Sequence, residues 1–173
     1  MVNLDSADIE KYLKILGEEL EKKGCTGEIL LAGGAIMLLV IKNRDTTKDI
    51  DAYFSVASSE IREAATKIAR DHGLREDWLN DGVKGFFYGT PPQSLWAEYP
   101  GLRVYLTDPE YIFAMKVAAG RVEDVPDIQA LVKFLELKSP EQCLNIVQKY
   151  IPTHLLTAKM QYLIDDLFCD QIS

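Results

Sequence analysis

Apolar residues recur every three or four positions across residues 6–23, at Ile9, Tyr12, Leu13, Leu16 and Leu20, with Asp5 or Ser6 available as an N-cap and Gly24 as a stop. That spacing predicts an amphipathic helix packed on a sheet. The pattern then changes to an unbroken apolar run over 29–32, so residues 28–32 read as a buried strand ending at Gly33-Gly34. A second apolar segment, 34–42, has helical length, and the chain is expected to pass through a tight turn from strand to helix at the two glycines. Residues 43–47 are polar and read as a loop. From Asp49 to Phe54 the period falls to two: Asp49, Asp51 and Tyr53 alternate with Ile50, Ala52 and Phe54, the pattern of a half-buried strand.

Ser58 opens a second helix, with Ile61, Ala64, Ala65 and Ile68 along one face and Gly73 ending it. The polar stretch 75–82, around Trp78 and Leu79, reads as a short helix and turn. Residues 85–89 read as a strand or a packed loop, and Thr90-Pro91-Pro92 as a break. Another strand is expected over 101–106, followed by a helix from Pro109 to about Ala119 with Asp108 as its cap. Ile128, Leu131, Val132 and Leu135 set a helix over 125–137, with Asp124 at the N-cap, Pro126 in the first turn and Asp127 at the third helical position. Two more helices, 140–150 and 152–168, complete the chain; the second carries Leu155, Leu156, Met160, Leu163, Ile164 and Leu167. The expected fold class is α+β, a mixed sheet flanked by helices over 1–137 with a helical extension, 138–173, packed on it.

At 173 residues the chain can bury a substantial core. No apolar run approaches the roughly 18 residues that span a bilayer, and the N-terminus lacks a basic segment ahead of an apolar one, so a cytoplasmic location without membrane contact is expected. Cys25, Cys143 and Cys169 are odd in number and far apart, which indicates neither a disulfide framework nor a zinc site; they read as buried small hydrophobes. His72, before Gly73, reads as a helix end, and His154 is too distant from it to share a metal. A net charge of −8 works against broad, sequence-independent binding to nucleic acid but leaves room for a local contact.

Two features carry chemistry. Glycines at a helix start leave backbone N–H groups open to a phosphate and let a ligand approach closely. Asp49 and Asp51 face the same way, roughly 6.6 Å apart along the strand, and hard carboxylate oxygens at that separation can converge on magnesium. Lys116 is a third point of interest, because it interrupts the apolar helix positions Ile112, Phe113, Ala114, Met115, Val117 and Ala118. A buried, unpaired ammonium is costly, so it must snorkel, pair or meet a ligand.

Gly-Gly at a strand-to-helix turn followed by Asp-x-Asp on the next strand resembles the core of the nucleotidyltransferase superfamily, which includes DNA polymerase beta and the antibiotic adenylyltransferases. The wording Arg44-x-x-Thr47-Lys48-Asp49-Ile50-Asp51, with the later Ala114-Met115-Lys116-x-x-Ala119-x-Arg121-x-x-Asp124-x-x-Asp127-Ile128, is similar to a narrower bacterial branch of small stand-alone enzymes related to AbiEii-type toxins of toxin–antitoxin systems. The resemblance covers roughly residues 25–135. It implies a nucleotidyltransferase-like fold and a catalytic Mg2+ held by Asp49 and Asp51. It also implies a nucleoside triphosphate cradled by Gly33 and Gly34 and neutralised by Lys116, Arg44 and Lys48. The acceptor would be an RNA end or a protein hydroxyl, and an antitoxin the partner. Members of the superfamily usually carry a third carboxylate on a later strand. The strand 101–106 holds none, so Asp108, at its end, is the leading candidate for the remaining catalytic acid, with Asp77, Asp81 and Asp127 as alternatives. The rival expectation is a catalytically impaired protein of the same fold that binds nucleotide or a partner in a regulatory role.

Overall fold

A computed structural model describes residues 2–169. The chain forms two compact units, one built from residues up to Gly85 together with Gln93–Thr107, the other from Phe86–Pro92 together with the residues from Asp108 onward.

In the first unit α1 (Ser6–Lys22) starts at Asp5, whose carboxylate accepts from the Asp8 N–H at 2.8 Å while Asp8 accepts from the Asp5 N–H at 3.3 Å. This reciprocal capping box satisfies two amides that helix geometry leaves open. The strand β1 (Gly27–Leu31) leads into α2 (Gly33–Ile36), and the helix continues through Met37–Ile41 in π form until Lys42 turns left-handed. Then follow β2 (Ile50–Val56), α3 (Ser58–His72), β3 (Leu79–Asn80), β4 (Gln93–Tyr99) and β5 (Leu102–Thr107). The sheet order is β3-β2-β1-β5-β4. β1 is antiparallel to β2 and parallel to β5, β2 is parallel to β3, and β4 is antiparallel to β5. The core joins the apolar stripes of α1 and α3 to alternate positions of the strands. Ile9, Leu13, Leu16, Ile61, Ile68, Ile29, Leu31, Ile50 and Val104 are essentially inaccessible. Trp78 is buried with them, and its indole N–H donates to the Ala65 carbonyl at 3.0 Å, so no polar atom of the ring is stranded.

The second unit is helical: α4 (Pro109–Ala119), a 3-10 turn at Val122–Asp124, α5 (Val125–Phe134), α6 (Pro140–Tyr150), a second 3-10 turn at Thr153–Leu155 and α7 (Ala158–Cys169). Tyr111, Phe113, Val117, Ile128, Leu131, Val147 and Ile164 form its core. Phe86–Pro92, before β4, belongs here, and of the two expectations for 85–89, a strand or a packed loop, the loop is found: the Tyr111 hydroxyl accepts from the Tyr88 N–H at 2.7 Å and donates to the Tyr88 carbonyl at 2.9 Å. Within this unit α4 packs with α5, α6 and α7.

Several local expectations are corrected. Residues 75–82 form a turn followed by the two-residue strand β3, because the Trp78 carbonyl and its neighbours pair with β2, and the Ile50 N–H donates to Trp78 at 2.7 Å. The strand β4 was not anticipated; a bulge between Leu95 and Ala97 breaks its alternation. α5 ends at Phe134 instead of 137, with Glu136 at a left-handed φ of +55°. Asp124 makes no side-chain cap to α5. The last helix begins at Ala158, not 152, since Pro152–Leu156 is taken up by a 3-10 turn and extended backbone. Of the cysteines only Cys143 is buried, which pushes its thiol up to about 11; Cys25 is half-buried and Cys169 exposed. His72 is the last residue of α3, as expected. No helix among the described residues is long and apolar enough to cross a membrane.

Candidate functional site

The site is organised by the turn from β1 into α2. Ala32 is extended, with φ −140° and ψ −173°, and Gly33 swings to φ +56°. A side chain at residue 33 would be strained by that backbone, and it would also collide: an added Cβ would stand 2.7 Å from Asp51 Oδ2. At Gly34 a Cβ would lie 2.8 Å from Thr47 Oγ1 and 3.4 Å from Arg44 Nη1. Both glycines are therefore backbone surfaces on which a carboxylate, a hydroxyl and a guanidinium rest. The approach is held by hydrogen bonds, with the Ala32 N–H donating to the Asp51 carbonyl at 2.9 Å.

Thr47 fixes the loop that carries the first aspartate. It is buried, pairs through both backbone groups with Leu4 at 2.8 and 2.9 Å, and donates its hydroxyl to the Asp49 carbonyl at 2.9 Å. Sequence reasoning left it as part of a motif without a task; its hydroxyl acts on the backbone, which no residue pattern announces. Asp49 then stands just before β2 and Asp51 at its second position, both half-buried. Ile50, Ala52 and Phe54 are buried on the opposite face, so the alternation that placed the two acids together holds. Lys48 is exposed beside them.

Burial pushes the Asp49 carboxyl above its ordinary value, and the charges of Asp51 and Asp77 raise it further, against the opposing charges of Arg75 and Lys48. Asp77 is held by Arg75 through two hydrogen bonds of 2.8 and 2.7 Å, and the guanidinium keeps its carboxyl below the usual range. Asp77 is thus close enough for its charge to reach Asp49. Yet no group of three metal-ligating side chains occurs among the described residues.

Because the folded state holds the Asp49 proton more tightly than the unfolded chain does, the contribution of this group is most favourable below the unfolded carboxylate pKa and is lost as pH rises through the raised folded value. Asp49→Asn is therefore expected to raise the melting temperature at pH 7 in metal-free buffer, with the gain over the parent shrinking as the pH falls through the weak-acid range. Calorimetry across that range checks it, and a lowered melting temperature at pH 7 would contradict it.

The strand beside β2 on its outer side is β3, in which Asn80 is level with Asp51. β5, the strand expected to hold the third carboxylate, is separated from β2 by β1. The position next to Asp51 is thus an amide, whose Oδ1 accepts from the Gly82 N–H at 3.2 Å. Asp81 is gripped by Arg62 of α3. Asp108 and Lys116 lie in the other unit. Asp108 caps α4, accepting from the Glu110 N–H at 2.8 Å. The Lys116 ammonium stands 2.6 Å from Asp124 and 3.0 Å from Asp127, so of the three fates open to it, pairing is realised.

Comparison with known proteins bears on the fold and the family. The crystal structure of an antigenic nucleotidyltransferase-like protein from Paracoccidioides brasiliensis superposes with a TM-score of 0.54, over 98% of this chain and 91% of that one, at 14% identity. At that identity the likeness concerns the fold, which is nucleotidyltransferase-like: a mixed sheet flanked by helices. No curated protein matches the chain by sequence. The family described as "Nucleotidyltransferase of unknown function (DUF6036)" matches residues 9–147, most of the chain's length and all of the elements that build the turn and the aspartate strand. The chain accordingly belongs to this nucleotidyltransferase family.

Proposed function

We propose that the protein is a magnesium-dependent nucleotidyltransferase that moves a nucleoside monophosphate from a nucleoside triphosphate to an RNA end or a protein hydroxyl, as the toxin of a cytoplasmic toxin–antitoxin pair of the AbiEii type. The observation that carries this reading is Asp51 Oδ2 packed against Gly33 with Asp49 one strand step away on the same face. The donor set fits magnesium: two hard carboxylates, one with a raised affinity for a proton, form a locally anionic spot that a cation would relieve. When bound, the ion would stabilise charge on the α-phosphate and acidify the attacking hydroxyl.

The chain's own residues would do the rest. Gly33 and Gly34, lacking side chains, let the triphosphate approach the turn beside the Asp51 carboxylate, and Arg44 and Lys48 supply positive charge there. The acceptor oxygen attacks the α-phosphorus; a new P–O bond forms as the bond to the oxygen bridging the β-phosphate breaks. Pyrophosphate leaves with that electron pair, and the hydroxyl proton passes to water. Asp77 is a weak base for that proton, because Arg75 favours its charged form.

A second reading, nucleotide binding without turnover, is favoured by Asn80 at the place beside Asp51 where an acid would assist. The test begins with titration of magnesium and a non-hydrolysable triphosphate analogue. Asp49→Asn/Asp51→Asn should lose at least about tenfold in affinity, the equivalent of one strong charge-assisted contact; unchanged affinity removes the metal site and with it this proposal. Incubation with each labelled nucleoside triphosphate, magnesium and cell extract then separates the two readings, since transfer of label supports the enzyme and binding without transfer supports the binder.

A further inference from the structure

The turn that leaves α3 brings a further cation to the acid pair. Gly73 caps α3 at φ +66°, and the Leu74 N–H returns to the Ala69 carbonyl at 2.9 Å. The next turn closes where the Trp78 N–H donates to the Arg75 carbonyl at 3.1 Å. Three contacts fix this turn against β2. The Trp78 ring is buried, the Trp78 carbonyl accepts from the Ile50 N–H at 2.7 Å, and the amide of Asn80, level with Asp51, donates to the Asp77 carbonyl at 3.4 Å. Arg75 and Asp77 are thus carried to the start of β2, where Asp49 stands. Arg75 and Lys48 are the cations whose charge acts on Asp49, Arg75 the more strongly.

Asp77 accepts from Arg75 Nε at 2.8 Å and from Nη2 at 2.7 Å. Those bonds use two of the five N–H groups that a guanidinium carries. Arg75 makes no other side-chain hydrogen bond or ion pair among the described residues, so its Nη1 edge keeps its donors, on a side chain 32% exposed. Lys116, the lysine expected to neutralise the triphosphate, is by contrast committed to Asp124 at 2.6 Å and Asp127 at 3.0 Å. A planar fork already held in place matches phosphate oxygens and loses little freedom in binding them. We propose that Arg75 is a triphosphate-binding residue: with its Nε edge held by Asp77, it gives its Nη1 edge to a non-bridging phosphate oxygen of the donor nucleotide beside Asp49. The inference rests on the transferase reading. Because the Arg75–Asp77 pair is exposed, it contributes little to folding, and the arginine can be replaced without unfolding the chain.

The test is calorimetric titration of the full chain with a non-hydrolysable triphosphate analogue in magnesium, with the corresponding nucleoside, and with magnesium alone. Arg75→Met is expected to weaken analogue binding about tenfold, the loss of one charge-assisted contact, and to leave nucleoside binding unchanged. Magnesium alone should bind this variant at least as tightly as the parent, because a positive charge near Asp49 has gone. Arg75→Lys keeps the charge without the fork and should recover only part of the loss. A merely structural arginine would weaken all three ligands together or none of them, and either result overturns the proposal. So does weaker binding of an oligoadenylate with the analogue unaffected, which would assign the cation to the acceptor. If Arg75→Met loses the analogue while Asp49→Asn/Asp51→Asn retains it, the phosphate contact stands and the metal-site reading falls. If only the double aspartate variant loses it, the metal site stands and Arg75 is no more than the partner of Asp77.

Discussion

Gly101→Ala is expected to destabilise the protein by about 3 kcal/mol or more, through a left-handed backbone penalty of roughly 1–2 kcal/mol and a clash the structure has little means to relax. Gly101 has φ +77° in the turn between β4 and β5, where α1 lies directly on it. An added Cβ would stand 2.3 Å from the Gly17 carbonyl oxygen and 2.7 Å from the Glu21 nitrogen, both backbone atoms of α1. The contact is mutual: a Cβ at Gly17 would fall 2.5 Å from the Pro100 carbonyl oxygen. Neither side is a flexible side-chain tip, so relief requires lifting the helix off the sheet, exposing Leu13, Leu16 and Leu20. At roughly 2–4 °C per kcal/mol for a chain of this size, the melting temperature should fall by about 6–12 °C. Gly24→Ala is the control: φ is +72° there, but nothing lies within 4 Å of the added Cβ, so only the backbone penalty remains. Equal losses in the two variants would show that helix-to-turn contact contributes nothing.

Such contacts mark the limit of what the chain discloses before it is folded. Signals confined to a few residues were legible. The Asp5 cap, Gly73 at the end of α3, Asp108 before Pro109 and the alternation that turns Asp49 and Asp51 to one side all depend on neighbours within one turn or one strand. The two glycines after β1 were also readable, though not that Asp51 would lean on Gly33, because that approach depends on the register between β1 and β2. β3 escaped because two residues carry no periodicity. The strand expected to carry a third carboxylate, β5, lies on the far side of β1 from β2. Thr47 and the Arg75–Asp77 pair act on the acid site through a backbone hydrogen bond and through space, and neither action leaves a pattern in the residue order.

The Lys116 cluster joins an expected ligand-binding lysine to two ion pairs. Lys116 sits in α4 with its side chain only 13% exposed, between Asp124 of the 3-10 turn and Asp127 of α5, themselves 15% and 6% exposed. Removing the cation leaves two carboxylates in a place with little water and like charges side by side, and breaking a buried pair in this way costs about 3–5 kcal/mol. Lys116→Met is therefore expected to lower the melting temperature by roughly 6–20 °C and to increase amide exchange across α4 and α5. Restoring neutrality should repair most of the loss. In Lys116→Met/Asp124→Asn/Asp127→Asn the amides keep hydrogen-bonding capacity without unbalanced charge, so stability should return to within about 1–2 kcal/mol of the parent. The triple variant separates charge from packing, since a side-chain volume effect at Lys116 would persist in it. If Lys116→Met melts like the parent and instead weakens binding of the triphosphate analogue, the lysine serves a ligand, and the two aspartates merely hold it until that ligand arrives.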